Sequence, residues 1–450
     1  MKRIVAFVLI VLLCLSLASC TLLGRRGGLS AYEIAVENGY KGDENSWLES
    51  LRGKDLTLTE IYAAAKEEGY EGDLLSFLKE YLSYDDGDLV RAGVAPVSAG
   101  ISGSLLSSVI ISCSFEYQSS HGGWSFGPVR TAQQSGAGVI YRLDKERGDA
   151  YIITNYHVVY YASSLTEDGI SEQIKVYLYG SESERYAMDA TYVGGSMNYD
   201  IAVLKIEDSE FLRNSSALAV AVADSDLLTV GDTAIAIGNP KSGGISVTRG
   251  IVSVDSEYVQ MEACDNVSIV TYRLLRVDTA INSGNSGGGL FNEDGRLIGI
   301  VNAKVSSSEV ENIGFAIPSN IATYVADNVI DNCNGTTAKK PKLCVPGVSL
   351  TVSGSQAYFD AETHATRIRE SVYLTGVQNG KPAAGLLKTG DALTAVRIGD
   401  KTYEIDRSFI FDDVMLTCRV GDVMTVYYTR DGVPGSVDLS LDASAFVEVK

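Results

Sequence analysis

A chain of 450 residues with 57 acidic and 37 basic side chains has a formal charge of −20, which argues against nucleic-acid binding, a function that calls for a basic patch. Acidity favours solubility instead. Glycine is abundant at 45 residues and histidine scarce at three, and none of the seven cysteines stands at a spacing that suggests zinc, so neither a metal nor another cofactor is expected.

At the start of the chain, Lys2 and Arg3 precede an apolar run over 4–17, which closes on Leu17-Ala18-Ser19-Cys20. The run is short for a bilayer span, which needs about 20 residues, and the small residues before Cys20 suit signal-peptidase cleavage. Residues 1–20 thus resemble a bacterial lipoprotein signal. The resemblance implies a lipid on Cys20, with acyl chains of about 0.8 kcal/mol per buried methylene holding the protein to the cell membrane on its extracytoplasmic face. A retained transmembrane anchor is the alternative.

Residues 30–82 hold a two-copy repeat. Tyr32, Glu37, Gly39, Tyr40, Gly42, Asp43, Ser46, Trp47 and Leu48 return 30 positions later as Tyr62, Glu67, Gly69, Tyr70, Gly72, Asp73, Ser76, Phe77 and Leu78. Each copy reads as a small helical unit with a Gly-Tyr-x-Gly-Asp turn. It is either a spacer with its own small core or a ligand-binding module, and the lack of metal-ligand or nucleophile spacing favours the spacer. Residues 83–107, rich in Gly, Ser, Asp and Ala, read as a flexible linker.

From 108 to 330 many short runs of Val, Ile and Tyr are broken by Gly, Asn, Asp and Ser, the pattern of a mainly β, barrel-forming chain. Within Gly284-Asn285-Ser286-Gly287-Gly288, glycines on both sides of Ser286 permit a sharp turn and a close approach of a substrate carbonyl. A serine hydroxyl is a poor nucleophile alone and needs a general base and a group to orient that base. His157 follows the strand-like run 150–154, and Asp200 opens another over 201–206. Taken singly, Ser286 could sit in a glycine-rich hairpin turn and His157 could be a core histidine. The order His, Asp, Ser is that of the chymotrypsin-type arrangement. After Pro318, Ser319 is placed to cap a helix running to about Val329.

These segments resemble the HtrA/Deg family of trypsin-like serine proteases, as do Ala236-Ile237-Gly238-Asn239-Pro240, Thr248-Arg249-Gly250-Ile251-Val252-Ser253, Asp278-Thr279-Ala280-Ile281-Asn282 and Ile313-Gly314-Phe315-Ala316-Ile317-Pro318. The resemblance implies a chymotrypsin-like double β-barrel over 108–330. His157 and Asp200 would lie on the first barrel and Ser286 on the second, with the cleft between them. It assigns Ser286 as nucleophile, His157 as base and Asp200 as its orienting partner. The oxyanion hole falls on the loop Gly284, Asn285 and Ser286, with the amides of Gly284 and Ser286 as donors. Ala280, Ile281, Ile300 and Asn302 are expected at the substrate pocket. Ala280 stands where Arg- and Lys-cleaving relatives are acidic, so cleavage after Val, Ala or similar residues is expected. Segments 117–134, 255–275 and 302–312 correspond to the family's regulatory loops, and a homotrimer is its common assembly.

A polar hinge is expected over 331–344. Beyond it, residues 345–450 resemble a PDZ domain through the segment that opens at Gly347, Gly385-Leu386-Leu387-Lys388-Thr389-Gly390-Asp391 and Val420-Gly421-Asp422-Val423. Such a domain adds a peptide to a sheet edge, here at Gly347, Val348, Ser349 and Leu350. Val345-Pro346 departs from the aromatic or Leu/Ile usual before that glycine, which leaves a β-domain that only packs on the protease as the alternative. Of the cysteines, Cys14 leaves with the signal and Cys20 carries lipid, so five remain, with Cys333 and Cys344 either paired across the hinge or free. The whole reads as an extracytoplasmic, membrane-anchored serine endopeptidase for unfolded or damaged proteins, with PDZ-controlled substrate binding or activation. A non-catalytic surface tether or chaperone-like peptide binder is the alternative.

Overall fold

A computed structural model describes residues 101–450 apart from 122–124, 182, 241–243, 304–312, 333–338, 362 and 364. The segment ending at Cys20, the repeat over 30–82, the linker up to residue 100 and Cys333 lie outside the described residues. The span Ile101–Lys450 forms one compact unit. It opens on helix α1 (Ser102–Ser107), in the last part of the expected linker, where Ser104 Oγ donates to Gly295 O at 2.9 Å.

The first barrel holds β1 (Ser108–His121), β2 (Ser125–Asp144), β3 (Asp149–Thr154), β4 (Gln173–Leu178), β5 (Met188–Ser196) and β6 (Ile201–Ile206), closed in the order β1-β2-β3-β6-β5-β4. Successive strand side chains point to opposite faces, so Val109, Ile111, Cys113 and Phe115 of β1 all enter one core with Ile140, Ile152, Val176 and Leu204. Closure leaves no unpaired strand edge. Burial pushes the Cys113 thiol up to about 12, making it a small hydrophobe. A short helix, α2 (Tyr156–Val159), lies between β3 and β4, and another, α3 (Glu210–Asn214), follows β6.

The second barrel repeats the design with β7 (Thr233–Gly238), β8 (Ser246–Glu262), β9 (Ile269–Val277), β10 (Gly289–Phe291), β11 (Leu297–Val301) and β12 (Gly314–Pro318), closed as β10-β11-β12-β9-β8-β7. Helix α4 (Ser319–Asn332) follows directly. Ser319 does not cap it, because its hydroxyl donates to Ala223 O at 2.8 Å; the first-turn amide of Asn320 is met by Ser225 Oγ, 3.1 Å away. A partner from a distant loop thus takes the role expected of the local serine.

The remaining elements are β13 (Lys342–Cys344), β14 (Val348–Asp360), β15 (Ala365–Val377), β16 (Ala392–Ile398), β17 (Lys401–Glu404), α5 (Ser408–Val414), β18 (Val423–Arg430), β19 (Val433–Ser440) and β20 (Phe446–Glu448). One sheet runs β14-β15-β16-β18-β19 with β17 on β16, while β13 pairs with β20. This C-terminal unit has its own core, built on Leu374, Val396, Phe409, Val426 and Leu439. Cys344 is a buried free thiol whose neighbour is Cys418.

The unit is joined to the barrels by polar contacts across buried surface. Asn328 Nδ2 of α4 donates to Lys342 O and Leu416 O, each at 2.8 Å. Arg407 pairs with Asp255 of β8 at 2.8 Å. Arg273 of β9 bridges Asp226 and Asp413, its guanidinium 4.0 Å from the centre of the Phe409 ring. A buried ion pair is expensive unless further bonds satisfy it, and among the described residues Arg273 Nε and Nη1 have no hydrogen-bond partner. Burial raises the Asp413 carboxyl to about 7, against the opposing pull of Arg273. A cavity of about 120 Å³ lies here, lined by Tyr199, Tyr258, Arg273, Asp412 and Asp413 among others.

Candidate active site

β3 ends at Thr154, and Asn155 turns the chain into α2, which carries His157. This corner is tied to the start of β6. Asp200 O accepts from Tyr156 N at 3.1 Å and from the buried Asn155 Nδ2 at 2.9 Å. Asp200 has φ +50°, a left-handed conformation that is sterically uncommon outside glycine and that aspartate tolerates better than most residues.

The Asp200 carboxylate receives three donors. Oδ1 accepts from His157 N at 2.9 Å, while Oδ2 accepts from His157 Nδ1 at 2.7 Å and from Asn302 Nδ2 at 2.9 Å. A carboxylate only accepts, so Nδ1 carries the ring proton and Nε2 presents its lone pair. The Asp200 side chain is 3% exposed and that of His157 18%, so the acid is shut in and the imidazole reaches the surface.

Ser286 comes from the loop between β9 and β10 and packs onto the same corner. Its carbonyl accepts from Ala137 N of β2 at 2.8 Å. A Cβ on Gly136 would come within 2.8 Å of both γ-methyls of Val158 and 3.0 Å from Ser286 O, so the residue after His157 and the backbone of Ser286 close on one bare glycine. Gly287, at φ +82°, is locked similarly: a Cβ there would stand 2.1 Å from Thr154 Oγ1 and 3.0 Å from Asn155 N. Glycine is required by both the dihedral and the space. Among the described residues Ser286 Oγ has no hydrogen-bond partner, and catalytic hydrogen bonds in free enzymes commonly tighten only with substrate bound.

Gly284 has φ +99°, and its amide and that of Ser286 have no partner among the described residues. The Asn285 amide is engaged with Asn282 O at 3.0 Å, so the loop's free donors are Gly284 and Ser286, and Asn285 is a turn residue. Its buried side chain abuts Gly238, where a Cβ would fall 2.8 Å from Asn285 Oδ1.

The four expected pocket residues divide. Ala280 is exposed and Ile281 half-buried, its Cδ1 2.6 Å from where a Cβ on Gly314 would stand. Ile300 is 0% exposed within β11, between Gly289 and Ile317, and Asn302 donates to the carboxylate of Asp200. Gly347, at φ +85°, turns the chain into β14, which among the described residues is an edge strand paired only with β15; Val348 and Leu350 of that strand pack on the unit's core and Ser349 is exposed. The sequence pattern did not mark Asn155, Gly136 or the role of Asn302. A polar residue two places before His157 was the one available signal.

Residues 136–300 match the family model described as "Trypsin-like peptidase domain", a span that takes in His157, Asp200 and Ser286. Over 317 residues the chain is 33% identical to "Serine protease Do-like HtrA" of Lactococcus lactis subsp. lactis (strain IL1403), covering 69% of this chain and 71% of that one. The chain belongs to the HtrA family of serine proteases. Within that family it is 35% identical over 322 residues to "Serine protease Do-like HtrA" of Bacillus subtilis (strain 168), covering 69% of this chain and 64% of the relative. It is 32% identical over 332 residues to "Periplasmic serine endoprotease DegP" of Escherichia coli (strain K12), covering 73% and 61%. The chain therefore spans just under two thirds of the length of these last two HtrA relatives.

Proposed function

We propose that this chain is an extracytoplasmic serine endopeptidase that hydrolyses peptide bonds in unfolded or damaged proteins. The observation that carries the reading is the carboxylate–imidazole pair, Asp200 Oδ2 to His157 Nδ1 at 2.7 Å, on the corner against which the Ser286 loop packs. Ser286 Oγ attacks the scissile carbonyl while His157 Nε2 takes its proton, and Asp200 holds the tautomer and stabilises the imidazolium. The same proton then goes to the leaving amine. Charge on the carbonyl oxygen is met by the amides of Gly284 and Ser286, and losing one such donor typically costs about 3 kcal/mol. The exposed Ala280 brings no carboxylate to the pocket, which favours small apolar side chains over basic ones at the cleaved position.

Membrane attachment through lipid on Cys20 rests on the signal-like segment 1–20; no helix among the described residues is long and apolar enough to cross a membrane. Peptide capture in the C-terminal unit, read as PDZ-like, would use the open edge of β14 at Gly347, Val348, Ser349 and Leu350, by strand addition. A homotrimer belongs to the same reading. The experiment is degradation of unfolded casein by the chain and by Ser286→Ala, with fluorophosphonate labelling in parallel. Ser286→Ala should lose labelling and at least ~10⁴-fold in kcat. Undiminished cleavage by the variant would assign the activity elsewhere.

A further inference from the structure

The turn that delivers Asp200 is held from behind by the C-terminal unit. Met197, Asn198, Tyr199 and Asp200 join β5 to β6, with Asp200 N donating to Met197 O at 3.3 Å and Asp200 itself in the left-handed region. A tight turn ending on such a residue stores strain and persists only where its surroundings over-determine it. The surroundings are specific. Lys450 O, beyond β20, accepts from Asn198 N at 2.9 Å and from the buried Ser196 Oγ at 2.7 Å. Lys450 Nζ pairs with Asp265, at the turn between β8 and β9, at 2.7 Å, and reaches Ser268 Oγ at 3.1 Å. Tyr272 Oη of β9 donates to Met197 O at 3.1 Å. One residue earlier in β5, Gly195 N donates to Lys339 O at 3.0 Å, so the segment entering the C-terminal unit and the one leaving it both lie against this hairpin. A Cβ on Gly194 would meet Lys339 O at 2.0 Å, which shows how closely the two chains approach.

We propose that Ser196 and Lys450 are positioning residues for the catalytic acid: the bonds of Lys450 to Ser196, Asn198 and Asp265 hold the turn from which Asp200 addresses His157. The inference rests on the protease reading above. It gives the docked C-terminal unit a part in the reaction that needs no peptide in its groove. Loss of the strap lets the turn relax from its left-handed end, which swings the carboxylate off Nδ1 without touching the substrate pocket. The consequence is a fall in kcat at nearly constant KM, because orientation of the base matters in the transition state and not in ground-state binding.

The test uses the full chain on a short fluorogenic peptide, with Lys450→Ala, Lys450→Arg and Ser196→Ala. Ser196→Ala, which removes the hydroxyl that donates to Lys450 O, should lower kcat about tenfold with KM within about twofold, and Lys450→Ala, which keeps that carbonyl and removes only the Nζ bonds to Asp265 and Ser268, should lower it about threefold. Lys450→Arg, which can still pair with Asp265, should recover most of that loss. In proton NMR, the low-field resonance of the His157 Nδ1–H···Asp200 bond should weaken in the alanine variants and return in the arginine one. Unchanged kcat, an unchanged resonance, or equal losses in Lys450→Ala and Lys450→Arg would each overturn the proposal. If Ser196→Ala proves unfolded by circular dichroism, the two Lys450 variants decide. A wild-type chain that takes no fluorophosphonate at Ser286 would instead sink the protease reading itself.

Discussion

Asp200 and Asp413 are both shut away from water, yet they are accommodated in different ways. Asp200 receives three hydrogen bonds from groups with fixed positions, namely His157 N, His157 Nδ1 and Asn302 Nδ2. Among the described residues Asp413 has only the guanidinium of Arg273, which Asp226 shares. Burial pushes Asp413 up to about 7, while Arg273 pulls the other way and falls short. A buried carboxylate is thus a fixed orienting group where donors converge on it, and a proton-holding joint where they do not.

The sharpest way to break that contrast is Asp200→Asn. An amide presents its NH2 as readily as its oxygen, so the imidazole can settle in the wrong tautomer. Loss of about 10⁴-fold in kcat is expected, checked on a peptide substrate with the fold verified by circular dichroism. A loss below tenfold would mean that the acid is dispensable. Asn302→Ala is the next step down. It removes one of the three donors and leaves the His157 bonds, so kcat should fall about tenfold with KM little changed, measured on the same peptide. An unchanged kcat would return Asn302 to a purely structural role.

Asp413→Asn tests the other side of the comparison and carries the smallest effect. The folded molecule holds a proton on Asp413 that the unfolded chain releases above about pH 4, since the ordinary value is 3.8 and the folded one about 7. This group's contribution to stability is therefore full below about pH 4 and lost as the pH rises through about 7. Thermal melts should show the wild-type Tm falling across that window relative to Asp413→Asn, by ~3 °C or more. Parallel curves would remove Asp413 from the joint's pH response.

Much of the site was legible because its chemistry is written in short runs. The glycines around Ser286 are demanded locally, by positive φ at Gly284 and Gly287 and by the lack of room beside Gly287. Short runs of Val, Ile and Tyr broken by Gly, Asn, Asp and Ser announce a mainly β, barrel-forming chain before any contact is known. The surroundings of Ile300 and Asn302 were less legible: the two sit on or next to β11, and which face each presents depends on how that strand is set against β10 and β12.

By itself, the sequence determined the glycine-rich turn at Ser286, the histidine after one strand and the aspartate before another, and the mainly β character of the chain, since each depends on neighbours within a few residues. Only the tertiary structure decided that Asn302 bonds Asp200, that Ser225 rather than Ser319 meets the first turn of α4, and that Lys450 bonds Ser196. Those pairs are separated by 102, 95 and, from Lys450 to Ser196, 254 residues. A contact made by the closure of barrels and the docking of a further unit leaves no periodicity along the chain, because the partners are brought together by packing and not by local geometry.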